Sequence, residues 1–322
     1  MSKLFIIGNG FDVGHGLKTK YKYFHKFLQE NYPDADEEED TYPEVFQGKD
    51  GEMDCEDNVA VAVLMRLITI SDHSDGLWKT LEEEMGKLDY SEIFDWLSDV
   101  TDRDGDVDYF KTAYQNEDMA GNIKVIMQKF SDYFTEWVES IDYKDAIAKE
   151  KFAALIEKED IFINFNYTKT LELIYKRNDI YHLHGCVGEQ IIFGHGDKSD
   201  VSDYYMQHNI GAENIMSEIH ELLKKDTDKV IQNNVALWNR IQNSNITDIY
   251  SYGFSFGAVD LVYIEKICQL LDTKNIVWHM HDFDKDKFQE IEDCLQKSDF
   301  KGRLDLFSTK LKSDKDWHLY IQ

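Results

Sequence analysis

Leu4-Phe5-Ile6-Ile7-Gly8-Asn9-Gly10-Phe11-Asp12-Val13-Gly14-His15 decides how the rest of the chain is read. The unbroken apolar run from Leu4 to Ile7 has the pattern of a strand buried on both faces. It stops at Gly8-Asn9-Gly10, and a polar, helix-compatible segment follows. An open α/β domain begins this way: a buried strand leads into a tight glycine turn whose N–H groups, backed by a helix start, suit a phosphate. Gly8, Gly10 and Gly14 give G-x-G-x-x-x-G, one residue longer than the G-x-G-x-x-G dinucleotide fingerprint. Alone, the stretch serves equally as a plain turn between strand and helix, so its meaning rests on what comes after it.

Beyond the turn, the spacing predicts a helix over 19–31, closed by Pro33. The acidic run over 34–57, densest at Glu37-Glu38-Glu39-Asp40, reads as a solvated loop. Helices are predicted over 58–69, 76–88, 90–100 and 122–140, the last carrying Ile123, Ile126, Phe130, Phe134 and Trp137 as an apolar stripe. The run from Asp102 to Asp108 looks superficially like a calcium loop, but Gly105 falls fourth and Ala113 twelfth. An EF-hand needs glycine sixth and glutamate twelfth, so this is read as an exposed acidic turn. Strand character returns at 160–164, 180–183, 190–193, 247–252 and 275–280, with an edge strand at 304–307. Helices over 214–223, 230–241, 261–271 and 285–296 fill the spaces between them. One strand, a helical block and then the remaining strands predict a single Rossmann-like α/β domain over 1–322. Its sheet is mainly parallel, and a mostly helical insertion occupies 20–158.

The composition narrows the function classes. With 63 acids against 35 bases the net charge is −28, which repels nucleic acid and anionic membranes unless a basic groove exists. No lysine- or arginine-rich run supplies one. Cys55, Cys186, Cys268 and Cys294 are far apart and form no C-x-x-C pair, so neither a disulfide framework nor a cysteine zinc site is expected. No apolar run approaches a membrane span and no signal peptide is visible. A cytoplasmic protein is the expectation.

Three of the later strands end in polar or small residues. Ile161-Phe162-Ile163 runs into Asn164-Phe165-Asn166-Tyr167-Thr168, and Ile180-Tyr181-His182-Leu183 runs into His184-Gly185. Ile249-Tyr250-Ser251-Tyr252 runs into Gly253-Phe254-Ser255-Phe256-Gly257, with Asp260 shortly after. Ligands of open α/β sheets sit outside the carboxyl ends of the strands. Parallel pairing with the first strand would therefore bring Gly8 to Asp12, Asn166, His184 and Ser255 to one crevice. Each residue also has a plainer role. Asp12 in a first helical turn is equally a capping acid, and Glu82 in Trp78-x-x-x-Glu82 reads as part of a solvated helix face. A strand histidine is usually packed and hydrogen-bonded, which is the reading for His182. His184 gains from Gly185, whose lack of a side chain points to close backbone approach. His182 and His184 with His195 or His208 would be metal-like, but no metal is predicted. His195 between two glycines reads as an exposed pocket border, and His279 and His281 as surface or edge residues.

The opening Ile-Ile-Gly-Asn-Gly-Phe-Asp, Gly16-Leu17-Lys18-Thr19-x-Tyr21, Asn164-Phe165-Asn166-Tyr167-Thr168, His182-Leu183-His184-Gly185 and Tyr252-Gly253-Phe254-Ser255 with Asp260 together resemble the AbiH family. That family is associated with bacterial abortive infection against phage. The same succession more distantly resembles sirtuin-like NAD-binding domains, several of which hydrolyse NAD in phage defence. The resemblance implies that Gly8-Asn9-Gly10, with Phe11 beside it, holds the diphosphate. It implies that Asn166 orients the nicotinamide-side ribose or the attacking water, with Tyr167 and Thr168 beside it. His184 would act as general base or ribose partner next to Gly185, and Gly253, Ser255 and Asp260 would meet the adenosine half. Asp12 joins the catalytic set as a carboxylate at the turn. The chain departs from sirtuins at Asn9, where they carry alanine, and at Phe11-Asp12, where they carry serine. It also lacks their four-cysteine zinc module, so protein deacylation is not expected.

Two other classes fit parts of the sequence. In a non-enzymatic sensor, the same crevice binds a nucleotide or infection signal and the helical insertion docks a protein partner or a second copy. In a serine esterase, Gly253-Phe254-Ser255-Phe256-Gly257 is a G-x-S-x-G elbow with Ser255 as nucleophile and Asp260, Asp282 or Asp284 and His318 downstream. The esterase leaves Gly8-Asn9-Gly10, Asn166 and His184 unexplained. The charge disfavours a nuclease in general, and a nuclease-like toxin using Asp and His around a metal is the third class that stays open.

Overall fold

The computed structural model describes residues 2–38, 41–49, 51–73 and 78–310. The chain divides into two compact units: Met1–Thr19, Val138–Ile192 and Asp226–Gln322 form the first, and Lys20–Trp137 with Phe193–Lys225 the second.

The first unit is built on a six-stranded sheet of β1 Ser2–Ile7, β2 Ile161–Asn164, β3 Ile180–His182, β4 Ile246–Tyr252, β5 Val277–His281 and β6 Arg303–Phe307. The order is β3-β2-β1-β4-β5-β6, and every neighbouring pair is parallel. Strand order reverses at β1, the topological switch point of a doubly wound fold. Residue parity sorts the two faces. Leu4, Ile6, Ile161, Ile163, Ile249 and Trp278 join the core that holds Tyr263 and Ile267 of the helix Leu261–Leu270. Phe5, Ile7, Phe162 and Tyr250 face the opposite core with Phe11, Phe152 and Leu171. There Phe5 stacks between Phe162 at 4.8 Å and Tyr250 at 5.1 Å.

Sequence and structure differ in places. Residues 190–193 form no strand: Ile192 N–H donates to His184 C=O at 2.8 Å, and a turn at Gly185 folds the chain back before a ladder extends. The helix predicted over 230–241 is interrupted at Asn234, between Thr227–Asn233 and Val235–Asn243. The one over 90–100 shrinks to Ser91–Phe94. That over 76–88 reduces to Leu81–Glu84 and a 3-10 turn at Met85–Lys87, its first two residues lying outside the described ones. The one over 122–140 lengthens to Tyr109–Glu139. Its first three turns carry no apolar stripe, which is why spacing alone did not find them. β6 lies at the sheet edge, as expected.

The second unit centres on aromatic side chains. Phe24 meets Phe134 at 5.4 Å and Phe130 at 6.0 Å, and Phe134 stacks on Phe193 at 3.8 Å. The segment over 193–225 thus belongs here with 20–137, whereas the sequence offered one continuous excursion over 20–158. The acidic segment is pinned rather than simply solvated. Glu37 accepts from His25 at 2.9 Å and from Gln29 and Thr69 at 3.1 Å. Lys129 Nζ lies 2.9 Å from both Asp54 and Asp57. Glu39 and Asp40 lie outside the described residues.

Candidate active site at the carboxyl ends of the strands

All parts of this site lie in the first unit. At the end of β1, Gly8 N–H donates to Tyr252 C=O at 3.1 Å and Gly10 N–H to Gly253 C=O at 3.0 Å. The turn therefore crosses the end of β4 backbone against backbone. A Cβ on Gly8 would lie 2.6 Å from Gly253 O, and one on Gly253 would lie 2.3 Å from Gly10 Cα. Gly253 also has φ +67, which favours glycine. Phe11 N–H donates to Gly8 C=O at 2.9 Å, so these three N–H groups are engaged by protein carbonyls. Asn9 is exposed, and its side-chain amide donates to Thr19 C=O at 2.9 Å. Phe11 is a core residue whose ring meets Tyr252 edge-on at 5.1 Å and lies tilted against His15 at 4.3 Å.

Asp12, in the short helix α1 (Asn9–Gly14), points inward and is 1% exposed. Thr168 Oγ1 donates to Oδ2 at 2.5 Å and Thr170 Oγ1 to Oδ1 at 2.6 Å. Burial pushes its pKa up from 3.8 to about 6, against the lowering effect of hydrogen bonds from Thr168, Thr170 and Asn166 and of the nearby His182. Asn166 ties the ends of β1 and β2 together: its side-chain amide donates to Gly8 C=O at 3.1 Å and its N–H to Asn164 Oδ1 at 3.1 Å. Tyr167, the next residue, is half-buried and its C=O accepts from Val187 N–H at 2.9 Å.

At the end of β3, His182 is packed and bonded as expected. Its Nε2 lies 2.6 Å from Glu172 Oε1 and its Nδ1 3.3 Å from Asn166 C=O. His184 is buried, with Nε2 3.6 Å from Asp260 Oδ1. Its ring meets Phe165 edge-on at 5.2 Å and lies 5.7 Å from Tyr263. Gly185 does mark a close approach, but to the protein itself, since a Cβ there would lie 2.0 Å from Gln190 O.

The structure thus brings Asp12, Asn166 and Thr168 into one network and His184 and Asp260 into a pair, all at neighbouring strand ends. Ser255 stands apart. It is exposed, and among the described residues it donates no hydrogen bond to a histidine. The positive φ values fall on Gly253 and Phe256, not on Ser255, whereas a nucleophile elbow strains the serine itself. His318 lies outside the described residues.

Several polar residues escaped the sequence. Thr170 and Glu172 occupy the helix Thr170–Tyr175, whose role appears only once β1 and β2 are paired. His15 donates Nδ1–H to Phe11 C=O at 2.7 Å and accepts from Tyr175 OH at 2.6 Å. Its burial lowers the pKa to about 4, so the ring is neutral. His281 is not a surface residue: it is buried, stacked on Tyr252 at 3.8 Å, and donates to Thr309 Oγ1 at 2.9 Å. The parity of β4 and β5 carries that signal, because Ser251 pairs with Met280 and places Tyr252 beside His281. His195, read as exposed, is buried in the second unit, where Nε2–H donates to His220 C=O at 3.0 Å and Nδ1 accepts from Asp197 N–H. Among the described residues no three His, Cys, Asp or Glu side chains form a group able to hold a metal ion, and no helix is long and apolar enough to cross a membrane.

A family model described as Bacteriophage abortive infection AbiH matches residues 4–282. No curated protein and no solved structure matches the chain.

Proposed function

The chain belongs to the AbiH family of bacteriophage abortive infection proteins, and we propose that the ends of its parallel strands bind NAD or a related nucleotide and hydrolyse the bond between nicotinamide and ribose. Family membership ties the chain to abortive infection against phage. The chemistry is supported chiefly by one observation: His184, which follows β3, and Asp260, which follows β4, stand 3.6 Å apart although their strands lie on either side of the switch point of the sheet. That is where doubly wound sheets take nucleotides.

His184 removes a proton from water, Asp260 orients the ring and stabilises the imidazolium, and Asn166 positions the ribose or the water. The water oxygen bonds to the ribose C1′ as the C1′–N bond breaks. Nicotinamide leaves as the neutral amide, and the water's second proton stays on the new hydroxyl. Positive charge developing at the sugar is stabilised by the neighbouring carboxylate. Asp12 works one step removed, because it is enclosed by Thr168, Thr170 and Asn166 and reaches the reacting groups through Asn166. Gly8 and Gly10 serve by letting β1 and β4 cross closely, and the exposed Asn9 is the member of that turn open to a diphosphate.

The test is nicotinamide release from NAD by the full chain, read by chromatography alongside a thermal shift. We expect His184→Gln to lose about 100-fold or more of the turnover, with Tm and circular dichroism holding near wild type. A ligand-induced shift without release would assign the site to a sensor. Folded wild-type protein that neither shifts nor releases nicotinamide would end the proposal.

A further inference from the structure

We infer that one end of the second unit is a docking surface for a basic, amphipathic segment of a partner protein. The helix Tyr109–Glu139 opens with three aromatic residues in solvent: Tyr109 is 70% exposed, Phe110 81% and Tyr114 65%. Farther along the same helix the large apolar residues from Ile123 to Val138 are buried. A second segment, about ninety residues on, presents Tyr204, Met206 and Ile210, also exposed. The two segments are fastened to each other. Asn116 Nδ2 donates to Ile210 C=O at 3.0 Å, and Gly211 sits so close that a Cβ there would lie 2.3 Å from Ala113 O. Single exposed apolar residues are ordinary, but a cluster held by two fixed segments marks an interaction surface.

The charge around the cluster selects the partner. Residues 99–118 contain seven acids and two bases, and one of those bases, Lys111, is paired with Asp108 at 2.9 Å. Asp104, Asp106 and Asp118 are exposed there, and Asp200 and Asp203 add to them from the second segment. Aromatic anchors rimmed by acid complement a segment that alternates apolar residues with lysine or arginine. A second copy of this chain is a poor occupant, since each copy carries a net charge of −28. The same rim repels nucleic acid and anionic lipid. This inference does not depend on the chemistry at the strand ends.

The experiment is fluorescence anisotropy of a labelled amphipathic leucine–lysine helix titrated with the full chain at physiological ionic strength. The Phe110→Ser/Tyr114→Ser variant keeps the net charge and alters only exposed side chains, so it folds; we expect it to bind about 10-fold more weakly or worse. Asp104→Lys/Asp106→Lys weakens binding as well, and Ile147→Ser, an exposed apolar site in the first unit, leaves it unchanged. The inference is overturned if the aromatic variant binds like wild type, if a leucine–glutamate helix binds equally well, or if wild type binds neither. It is also overturned if sedimentation shows a wild-type dimer that the aromatic variant abolishes, since the surface would then belong to self-association.

Discussion

Asp12 of the first unit and Glu82 of the second are held by opposite means. In the first, Asp12 is surrounded by neutral donors, the hydroxyls of Thr168 and Thr170 and the amide of Asn166. In the second, Glu82 receives the hydroxyl of Tyr21 and the ammonium of Lys225, whose side chain is fully buried. Neutral donors stabilise a carboxylate less than burial penalises it, so the Asp12 pKa remains raised. A buried cation paired with a carboxylate removes that penalty only while both partners are present. The first arrangement therefore responds to pH, and the second to loss of a partner.

The units also differ in what closes them, and here the largest effect is expected. The first depends on backbone crossing backbone at Gly8, Gly10 and Gly253, where no side chain is available to move aside. Gly253→Ala places a Cβ 2.3 Å from Gly10 Cα in a backbone conformation with φ +67. Overpacking and left-handed strain together predict a loss of about 3–5 kcal/mol in urea unfolding. Gly105→Ala is the matched control: its φ is +88 but nothing lies within 4 Å of the new Cβ, so about 1 kcal/mol is expected. Equal losses in the two variants would mean that conformation alone, not the crossing, sets the requirement for glycine.

The second unit is tested through its ion pair. Glu82→Gln withdraws a carboxylate from the buried Lys225 ammonium and is expected to cost about 3 kcal/mol. Glu82→Leu/Lys225→Met, which removes both charges, is expected to lie within about 1 kcal/mol of wild type. If the double variant proves the weaker of the two in chemical denaturation, the pair is a net source of stability and the contrast with Asp12 is sharper than stated.

How much of this was legible differs between the units for a physical reason. Parallel strands buried on both faces favour unbroken apolar runs, so β1 and β2 stand out, while β4 and β5 carry Asp248, Ser251 and His279 among their apolar residues; the polar residues that follow these strands are what suggested the candidate site. Asn166, His184 and Asp260 could be placed at the strand ends from the sequence because each lies directly after a strand or its turn. Thr170, Glu172 and His281 were not, because their roles depend on strand register and on which side of the sheet a helix packs. Glu82 lay among three consecutive glutamates, which describes a solvated face until Lys225 arrives from far along the chain. Glu37 was hidden the same way: its partners His25 and Thr69 belong to two other elements. The first three turns of the helix Tyr109–Glu139 lacked a stripe because their large residues point to solvent.

The smallest effect concerns the pH response of Asp12. Its pKa is raised from 3.8 in the unfolded chain to about 6 in the fold, so the folded state holds the proton more tightly. Between these values the native protein binds more protons than the unfolded one, and stability falls as pH rises. Below about 4 both states are protonated and the penalty is absent; above about 6 it is fully present. Asp12→Asn removes the titrating group while keeping the shape. The gap in unfolding free energy between wild type and this variant should therefore shift by about 1 kcal/mol against wild type from pH 5.2 to pH 7.5. Comparing the two proteins at each pH cancels the many other titrating groups they share. A gap that stays constant would mean the three donors hold Asp12 ionised throughout, and the two units would then treat their inward acids alike.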